Sequence, residues 1–246
     1  MIIAIDGPSG AGKSTVAKAV AKKLGFSCLD TGAMYRAVAW KALQLGVSLE
    51  DDAALGDVAR TYDISFGHEG GDPIPKRVFI GEDEVTRAIR TAEIDRAVSP
   101  TSAAPSVRAA LVDQQRRIGE GGNYVVEGRD IGTCVFPDAA VKVFLTASDE
   151  ERAHRRVRQN VDRGIGSIDY EEVLADLRRR DEADSSRATS PLRAADDAVH
   201  IDSTGRYIED VIDQICALAR AAYAAESEEE AADSLGVVVP FALGLI

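Results

Sequence analysis

The feature that most constrains this chain is a glycine-rich stretch close to its first residue. Residues 1–6 form a short β-branched run that ends in an acidic residue, and GPSGAGKS follows at residues 7–14. From Lys13 to Leu24 the apolar residues fall at helical spacing, and Gly25 is expected to end that helix. GxxxxGK[ST] between a strand and a helix is the context in which a P-loop is found. The stretch therefore predicts a nucleoside triphosphate site.

The residues of this loop have distinct expected roles. Its glycines let backbone N–H groups converge on phosphate oxygens, and the following helix adds the positive end of its dipole. Lys13 is predicted to reach the β- and γ-phosphates, and Ser14 to ligate Mg²⁺ through its hydroxyl. The predicted triphosphate-binding residues are Gly7, Pro8, Ser9, Gly10, Ala11, Gly12, Lys13, Ser14 and Thr15.

Strand and helix patterns alternate along most of the chain. Ser148 with Glu151, and Asp169 with Glu172, are capping-box patterns that open two arginine-rich helices. Alternation of this kind predicts an α/β fold with a mostly parallel sheet covered by helices on both faces. Besides the first strand and helix, strands are predicted at residues 26–29, 123–127, 140–145 and 199–201, and further helices at residues 31–45, 107–118 and 208–218.

Two segments depart from this alternation. Residues 62–104 hold short strand-like pieces around the turn-rich stretch 68–75, which predicts a small β-rich insertion. The core is then discontinuous and consists of residues 1–61 and 105–224. Residues 225–246 are acidic and then apolar, and we expect them to be a poorly ordered tail.

Composition excludes several classes of protein. The net charge is −12, from 29 basic and 41 acidic residues, which argues against a protein that coats nucleic acid polymers. The three cysteines (Cys28, Cys134 and Cys216) lack the spacing of a metal site or a disulfide framework. No apolar run approaches the ~20 residues of a membrane span, and the first residues lack a signal-peptide pattern. We therefore expect a cytoplasmic protein with no membrane partner.

A regulatory GTPase is disfavoured. Guanine recognition needs NKxD, but neither Asn123 nor Asn160 is followed by lysine. Residues 202–205 formally fit DxxG, but they lie next to the closing helix and are interpreted as a turn and helix cap.

Three further motifs narrow the class. They are LDTGAMYR at residues 29–36, EGRDIGTCVFP at residues 127–137 and RDEADSSR at residues 180–187. With the P-loop, they resemble the bacterial cytidylate kinases of the P-loop nucleoside monophosphate kinase superfamily in order and spacing, from about residue 1 to residue 222. The resemblance implies a P-loop kinase fold whose nucleotide-monophosphate-binding insertion is residues 62–104. It also implies Mg²⁺-dependent transfer of the γ-phosphoryl group of ATP to CMP or dCMP, by a monomer.

The resemblance further implies an acceptor site. Arginine guanidinium groups suit phosphate oxygens, and a carboxylate with an arginine complements the donor and acceptors of the cytosine edge. The implied contacts are Thr31, Arg36 and Arg129 for the acceptor phosphate, Ser99, Arg108 and Asp130 for the base, and Arg180 and Asp184 for the sugar hydroxyls, with Asp30 and Tyr35 beside them.

Arginines dominate the segment that would close over ATP. Phosphoryl transfer to a phosphate oxygen needs cations rather than a strong base, and the three histidines (His68, His154 and His200) lie in unrelated stretches. We interpret residues 150–187 as a lid with flanking helices, which excludes water when it closes. The predicted catalytic cations are Lys13, Arg129, Arg156 and Arg187.

Plainer interpretations of these residues stay open at this point. Arg36 and Arg108 also fit solvated helix positions, and Ser99 fits a helix terminus before Pro100. Arg129 also fits an ion pair with Asp130. Arg180 with Asp184 fits an i,i+4 pair, and the lid arginines fit a solvated helix. Two other functions also stay open: a P-loop kinase for UMP or a hydroxyl acceptor, and a non-catalytic nucleotide-binding module.

Overall fold

A five-stranded parallel sheet forms the centre of the molecule. The computed structural model describes residues 1–234. Its strands are β1 (Ile2–Asp6), β2 (Ser27–Asp30), β3 (Ile64–Gly67), β4 (Arg77–Ile80), β5 (Asp83–Glu84), β6 (Tyr124–Gly128), β7 (Val141–Thr146) and β8 (Val199–Asp202). The main sheet has the order β2-β6-β1-β7-β8 with every pair parallel. The predicted parallel sheet is confirmed.

Helices cover both faces of this sheet. The helices of the described residues are α1 (Lys13–Leu24), α2 (Thr31–Gln44), α3 (Asp52–Thr61), α4 (Ala92–Ala103), α5 (Pro105–Gly119), α6 (Asp149–Arg163), α7 (Tyr170–Ser185) and α8 (Ile208–Ser234). Alternate residues of β1 point to opposite faces. Ala4 packs with Val38 of α2 and Leu111 of α5 on one face, whereas Ile5 packs with Val20 of α1 and Ile215 of α8 on the other. The helix-covered α/β architecture therefore agrees with the sequence.

The helix ends follow the sequence signals. Gly25 adopts a left-handed conformation (φ 72°) and ends α1, and Gly164 ends α6 in the same way (φ 62°). The Ser148 side chain accepts a hydrogen bond from the Glu151 N–H at 3.2 Å, as the capping-box pattern predicts. Asp169 caps α7 in the same way, since it accepts from the Glu172 N–H at 2.8 Å.

The insertion is β-rich only in its first half. Strands β3, β4 and β5 form a small antiparallel sheet, which confirms the predicted strand pieces. A short helical turn at Ala88–Arg90 and helix α4 make up the second half. Thr91 caps α4 by accepting from the Ile94 N–H at 3.3 Å, and Pro100 lies inside the helix. Ser99 therefore lies within a helix rather than at its terminus.

Helix α8 extends beyond the residues 208–218 whose apolar spacing predicted it. We expected order to end near Ala224, but α8 continues through the acidic stretch to Ser234. Alanine and glutamate are strong helix formers, so this segment stays helical without an apolar stripe. The rest of the expected tail, residues 235–246, lies outside the described residues. None of the helices described is long and apolar enough to cross a membrane.

Candidate active site

A cavity of about 770 Å³ opens at the carboxyl ends of the parallel strands. The loop after β1 forms one side, and the residues that end β2 and β6 form the floor. Helices α4, α5, α6 and α7 supply the remaining walls. This edge of an open parallel sheet is where ligands bind in α/β proteins.

The P-loop has the backbone that its glycines permit. Gly12 is left-handed (φ 95°) directly before α1. Gly7 (φ 148°) packs so closely on β7 that a Cβ there would lie 2.0 Å from the carbonyl oxygen of Leu145. Gly7 and Pro8 do not line the cavity, whereas every other predicted residue from Ser9 to Thr15 does. Gly7 and Pro8 therefore shape the loop from behind.

Lys13 and Glu127 form a buried charged pair at the loop. The Lys13 Nζ donates to the Pro8 carbonyl oxygen at 2.8 Å. Burial and the Arg129 guanidinium lower the pKa of Lys13, while burial and the Asp30 charge raise the pKa of Glu127. The Ser14 hydroxyl donates to Glu127 Oε2 at 2.7 Å. Among the described residues, Glu127 Oε1 is buried and has no hydrogen-bond partner.

Arg108 and Asp130 form a buried ion pair that also lines the cavity. Their side chains are 3% and 5% exposed, and one guanidinium nitrogen of Arg108 donates to Asp130 Oδ2. A second nitrogen donates to the Ser102 carbonyl oxygen at 3.2 Å. The guanidinium also stands over the Tyr35 ring, 5.5 Å from its centroid. The pair therefore presents a rigid donor and acceptor to the cavity.

Asp184 connects Arg129 and Arg187, two arginines of the predicted acceptor motifs. It accepts from Arg129 Nε at 2.8 Å and also pairs with Arg187. Burial pushes the pKa of Asp184 upward, but the guanidinium groups of Arg129, Arg187 and Arg180 together outweigh burial and lower it. The Arg129–Asp130 pair considered from the sequence does not form, because Arg129 turns to Asp184 and Asp130 to Arg108.

The start of α2 uses part of its predicted substrate set for structure. Asp30 caps the helix by accepting from the Ala33 N–H at 2.9 Å. The Thr31 hydroxyl donates to the Glu127 carbonyl oxygen at 2.7 Å. Arg36 donates to the Ile89 carbonyl oxygen at 3.1 Å and pairs with Asp95, which ties α2 to the insertion. All three nevertheless line the cavity.

The arginines of α6 divide into structural and exposed ones. Arg152 is buried and donates to Ser9 O at 2.9 Å and to Asp181 at 2.5 Å. Arg155 donates to the Ala11 carbonyl oxygen at 3.3 Å and to the Ser203 carbonyl oxygen at 2.9 Å. Arg156 donates to the Ser9 hydroxyl at 3.1 Å, whereas the Arg158 side chain is 71% exposed. The helix therefore contacts the P-loop from above through three of its arginines.

The structure brings the predicted acceptor residues into one cavity. The lining includes Asp30, Thr31, Tyr35, Arg36, Ser99, Arg108, Arg129, Asp130, Arg180 and Asp184, together with Lys13, Arg156 and Arg187. The three histidines do not line it. Sequence reasoning assigned no role to Asp6, Arg90, Ser102 or Glu127. For Asp6 and Glu127 a signal was available, because each is an acidic residue at or near the carboxyl end of a buried strand.

The fold and the P-loop geometry define a P-loop kinase with one cleft. The cleft is lined by the P-loop with Lys13 and by the predicted acceptor half, which contributes Arg36, Arg108, Arg129, Arg180 and Arg187. A family model described as cytidylate kinase matches residues 3–221. The chain belongs to the cytidylate kinase family.

Individual relatives agree with this assignment. The cytidylate kinase of Exiguobacterium sibiricum is 49% identical over 222 residues, covering 89% of this chain and 97% of the relative. That of Caldanaerobacter subterraneus is 50% identical over 213 residues, covering 87% and 92%. The bifunctional pantoate ligase/cytidylate kinase of Trichormus variabilis is 50% identical over 214 residues, and the match covers 87% of this chain but 40% of that protein. This chain thus spans less than half of that bifunctional relative.

Proposed function

We propose that this protein transfers the γ-phosphoryl group of ATP to CMP or dCMP, giving ADP and the nucleoside diphosphate. The observation that carries the proposal is the buried Arg108–Asp130 pair, which lines the same cavity as Lys13 but makes no contact with the P-loop among the hydrogen bonds and ion pairs of the described residues. A P-loop alone supports only triphosphate binding, whereas a second polar site in the same cleft supports an acceptor nucleotide. Names of relatives point to the same acceptor.

The acceptor half offers contacts for each part of a cytidine monophosphate. Arg36 and Arg129 suit the phosphate oxygens. The Asp130 carboxylate suits the amino group at N4, and the Arg108 guanidinium, with Ser99 beside it, suits the ring acceptors O2 and N3. Arg180 and Asp184 are proposed to hold the sugar hydroxyls. Arg180 lines the cavity and makes no hydrogen bond to the described side chains and backbone, so its donors are available to a ligand.

Phosphoryl transfer in this site depends on positively charged side chains placed around the phosphoryl group that is transferred. Lys13 lies at the P-loop, Arg129 and Arg187 at the acceptor, and Arg156 above Ser9. Burial and the Arg180 charge lower the pKa of Arg156 to about 10, so it stays protonated at neutral pH. Positioned charge of this kind stabilises the transition state without a general base, because the attacking atom is already a phosphate oxygen.

Mg²⁺ fits beside Ser14. The described residues hold no cluster of three or more metal-ligating side chains, which suits a cation that binds mainly to nucleotide phosphates and water. The Ser14 hydroxyl donates to Glu127 Oε2, and Glu127 Oε1 has no hydrogen-bond partner among the described residues, so this pair offers oxygen atoms of the kind that Mg²⁺ prefers as ligands. A bound Mg²⁺ neutralises phosphate charge, and Ser14 and Glu127 are proposed to hold it.

An ADP-release assay across CMP, dCMP, UMP, AMP and a hydroxyl acceptor tests this function. We expect the highest kcat/KM with CMP or dCMP, and equal or better turnover of another acceptor would refute the assignment.

Lys13→Ala is expected to lower kcat by about 100-fold or more, because a positive charge that stabilises the phosphoryl group during transfer is lost. Lys22→Ala is the matched control, since Lys22 lies on the exposed face of α1. Equal effects of the two variants would refute the proposed role of Lys13.

A further inference from the structure

Asp6 is a buried carboxylate to which nothing above assigns a role. It is the last residue of β1, it is 4% exposed, and it does not line the cavity. Its two oxygens accept from two consecutive backbone N–H groups. Ile131 N–H donates to Oδ1 and Gly132 N–H to Oδ2, both at 2.8 Å. Two such bonds fix both the position and the orientation of a peptide segment.

The segment that Asp6 holds follows the acceptor residues directly. Ile131–Val135 is a single wide helical turn, and Arg129 and Asp130 are the two residues before it. Asp130 has an unusual backbone conformation (φ −147°, ψ 27°), and its side chain accepts no capping hydrogen bond from the turn. The orientation of Asp130 towards Arg108 therefore depends on how the turn itself is anchored.

The residue after Asp6 anchors the same motif from its other end. The Gly7 carbonyl oxygen accepts from a terminal nitrogen of Arg129 at 3.0 Å. Asp6 and Gly7 thus contact the acceptor motif on both sides of Asp130. Since Gly7 also opens the P-loop, the end of β1 touches the donor and acceptor halves at once.

We propose that Asp6 is a positioning residue that fixes Arg129 and Asp130 relative to the P-loop, so that the acceptor nucleotide lies in line with ATP. The inference rests on the proposed function of Arg129 and Asp130. In-line transfer is sensitive to displacement of about 1 Å, and a carboxylate that accepts two backbone bonds limits such displacement. Asp6 acts through the turn and does not touch the substrate.

The charge of the Asp6 side chain at neutral pH supports its role as a positioning residue. Burial and the neighbouring Asp130 raise the pKa of Asp6 to about 6, while the two N–H groups and Lys13 oppose that shift. At neutral pH the side chain is therefore mostly a carboxylate with two acceptor oxygens. An asparagine of the same shape has one acceptor oxygen and an NH₂ group, so it leaves one N–H of the turn facing a donor.

Steady-state kinetics and equilibrium titration of Asp6→Asn test the proposal. We expect the KM and the dissociation constant for CMP to rise about tenfold or more, with ATP affinity changed less than about twofold, because only the acceptor turn loses a bond. If Asp6→Asn does not fold, Asp6→Ser is measured in the same way.

Gln114→Leu is the matched structural control. Gln114 is 4% exposed, accepts from the Ile64 N–H at 3.0 Å and donates to the Ala59 carbonyl oxygen at 2.8 Å, far from the P-loop. We expect it to lower stability while leaving the ratio of CMP to ATP affinities unchanged. Unchanged CMP affinity in Asp6→Asn, or equal losses for CMP and ATP, would overturn the positioning role. Failure of the wild-type protein to phosphorylate CMP would instead refute the proposed function.

Discussion

Asp184 compensates the charge of two arginines that face the acceptor half of the cavity. Its side chain is 8% exposed and pairs with both Arg129 and Arg187. Buried guanidinium groups are costly without a counter-charge, so the carboxylate keeps them in place and in orientation. The same carboxylate is proposed to bind a sugar hydroxyl, so one residue serves packing and recognition together.

Removing Asp184 or Arg180 is predicted to damage the acceptor site selectively. Asp184→Ala and Arg180→Ala are expected to raise the KM for CMP and dCMP by about tenfold or more, since charge-assisted hydrogen bonds to the sugar are lost. ATP affinity, measured by equilibrium titration, is expected to stay near the wild-type value. Asp176→Ala is the control, because Asp176 is 53% exposed on the same helix. Loss of ATP binding alone would show that the sugar site is misassigned.

Gln114 and Gln115, two adjacent buried residues of α5, are expected to contribute differently to stability. Gln114 makes two hydrogen bonds, whereas the buried Gln115 amide makes none of standard geometry within the described chain and only lies beside the Tyr35 hydroxyl. We expect Gln114→Leu to lower the free energy of unfolding by roughly 2 kcal/mol and Gln115→Leu to change it by less than about 1 kcal/mol. Chemical denaturation of both variants measures this difference. Equal losses would contradict the structure of this helix face.

Among the elements, α6 is the helix through which the predicted lid contacts the P-loop. Arg152 and Arg155 donate to backbone carbonyl oxygens of Ser9 and Ser203, so they fix the helix over the loop. Arg156 contacts only the Ser9 hydroxyl among hydrogen-bond acceptors of the described residues, which leaves donors for a phosphate. One helix thus combines structural and proposed catalytic arginines.

Exposure along α6 predicts different outcomes for two arginines. Arg156→Met is expected to lower kcat by about tenfold to hundredfold, because it removes a positive charge that is proposed to stabilise the phosphoryl group during transfer. Arg158→Met is expected to leave kcat unchanged, since that side chain is 71% exposed and reaches Glu151 only at 4.0 Å. Both are measured with saturating ATP and CMP. A loss shared by both variants would point to the helix as a whole rather than to Arg156.

Local signals determined how well each element was predicted. The caps at Ser148 and Asp169 depend on neighbours three residues away, so the sequence alone predicts α6 and α7. Helix α4 was not predicted, because Pro100 and short polar residues weaken its pattern and its stability comes from Ile94 and Val98 packing into the core. Tertiary packing overrides local propensity in such a segment.

At the scale of the whole molecule, the sheet explains why distant motifs meet. Parallel strands end at one edge, so motifs that follow β1, β2 and β6 converge there, and this convergence is predictable from the sequence. The sequence does not predict which arginine pairs with which carboxylate at this edge. Arg108 pairs with Asp130 and Arg129 with Asp184, across 22 and 55 residues respectively, and only the tertiary placement of α5 and α7 decides between these pairs.

A crystal structure with CMP bound would locate every proposed acceptor contact in one experiment. We expect the phosphate between Arg36 and Arg129 and the base edge against the buried Arg108–Asp130 pair. We also expect the sugar hydroxyls at Arg180 and Asp184. A CMP molecule whose base lies at the P-loop, or whose phosphate does not touch Arg129, would contradict the proposed acceptor site.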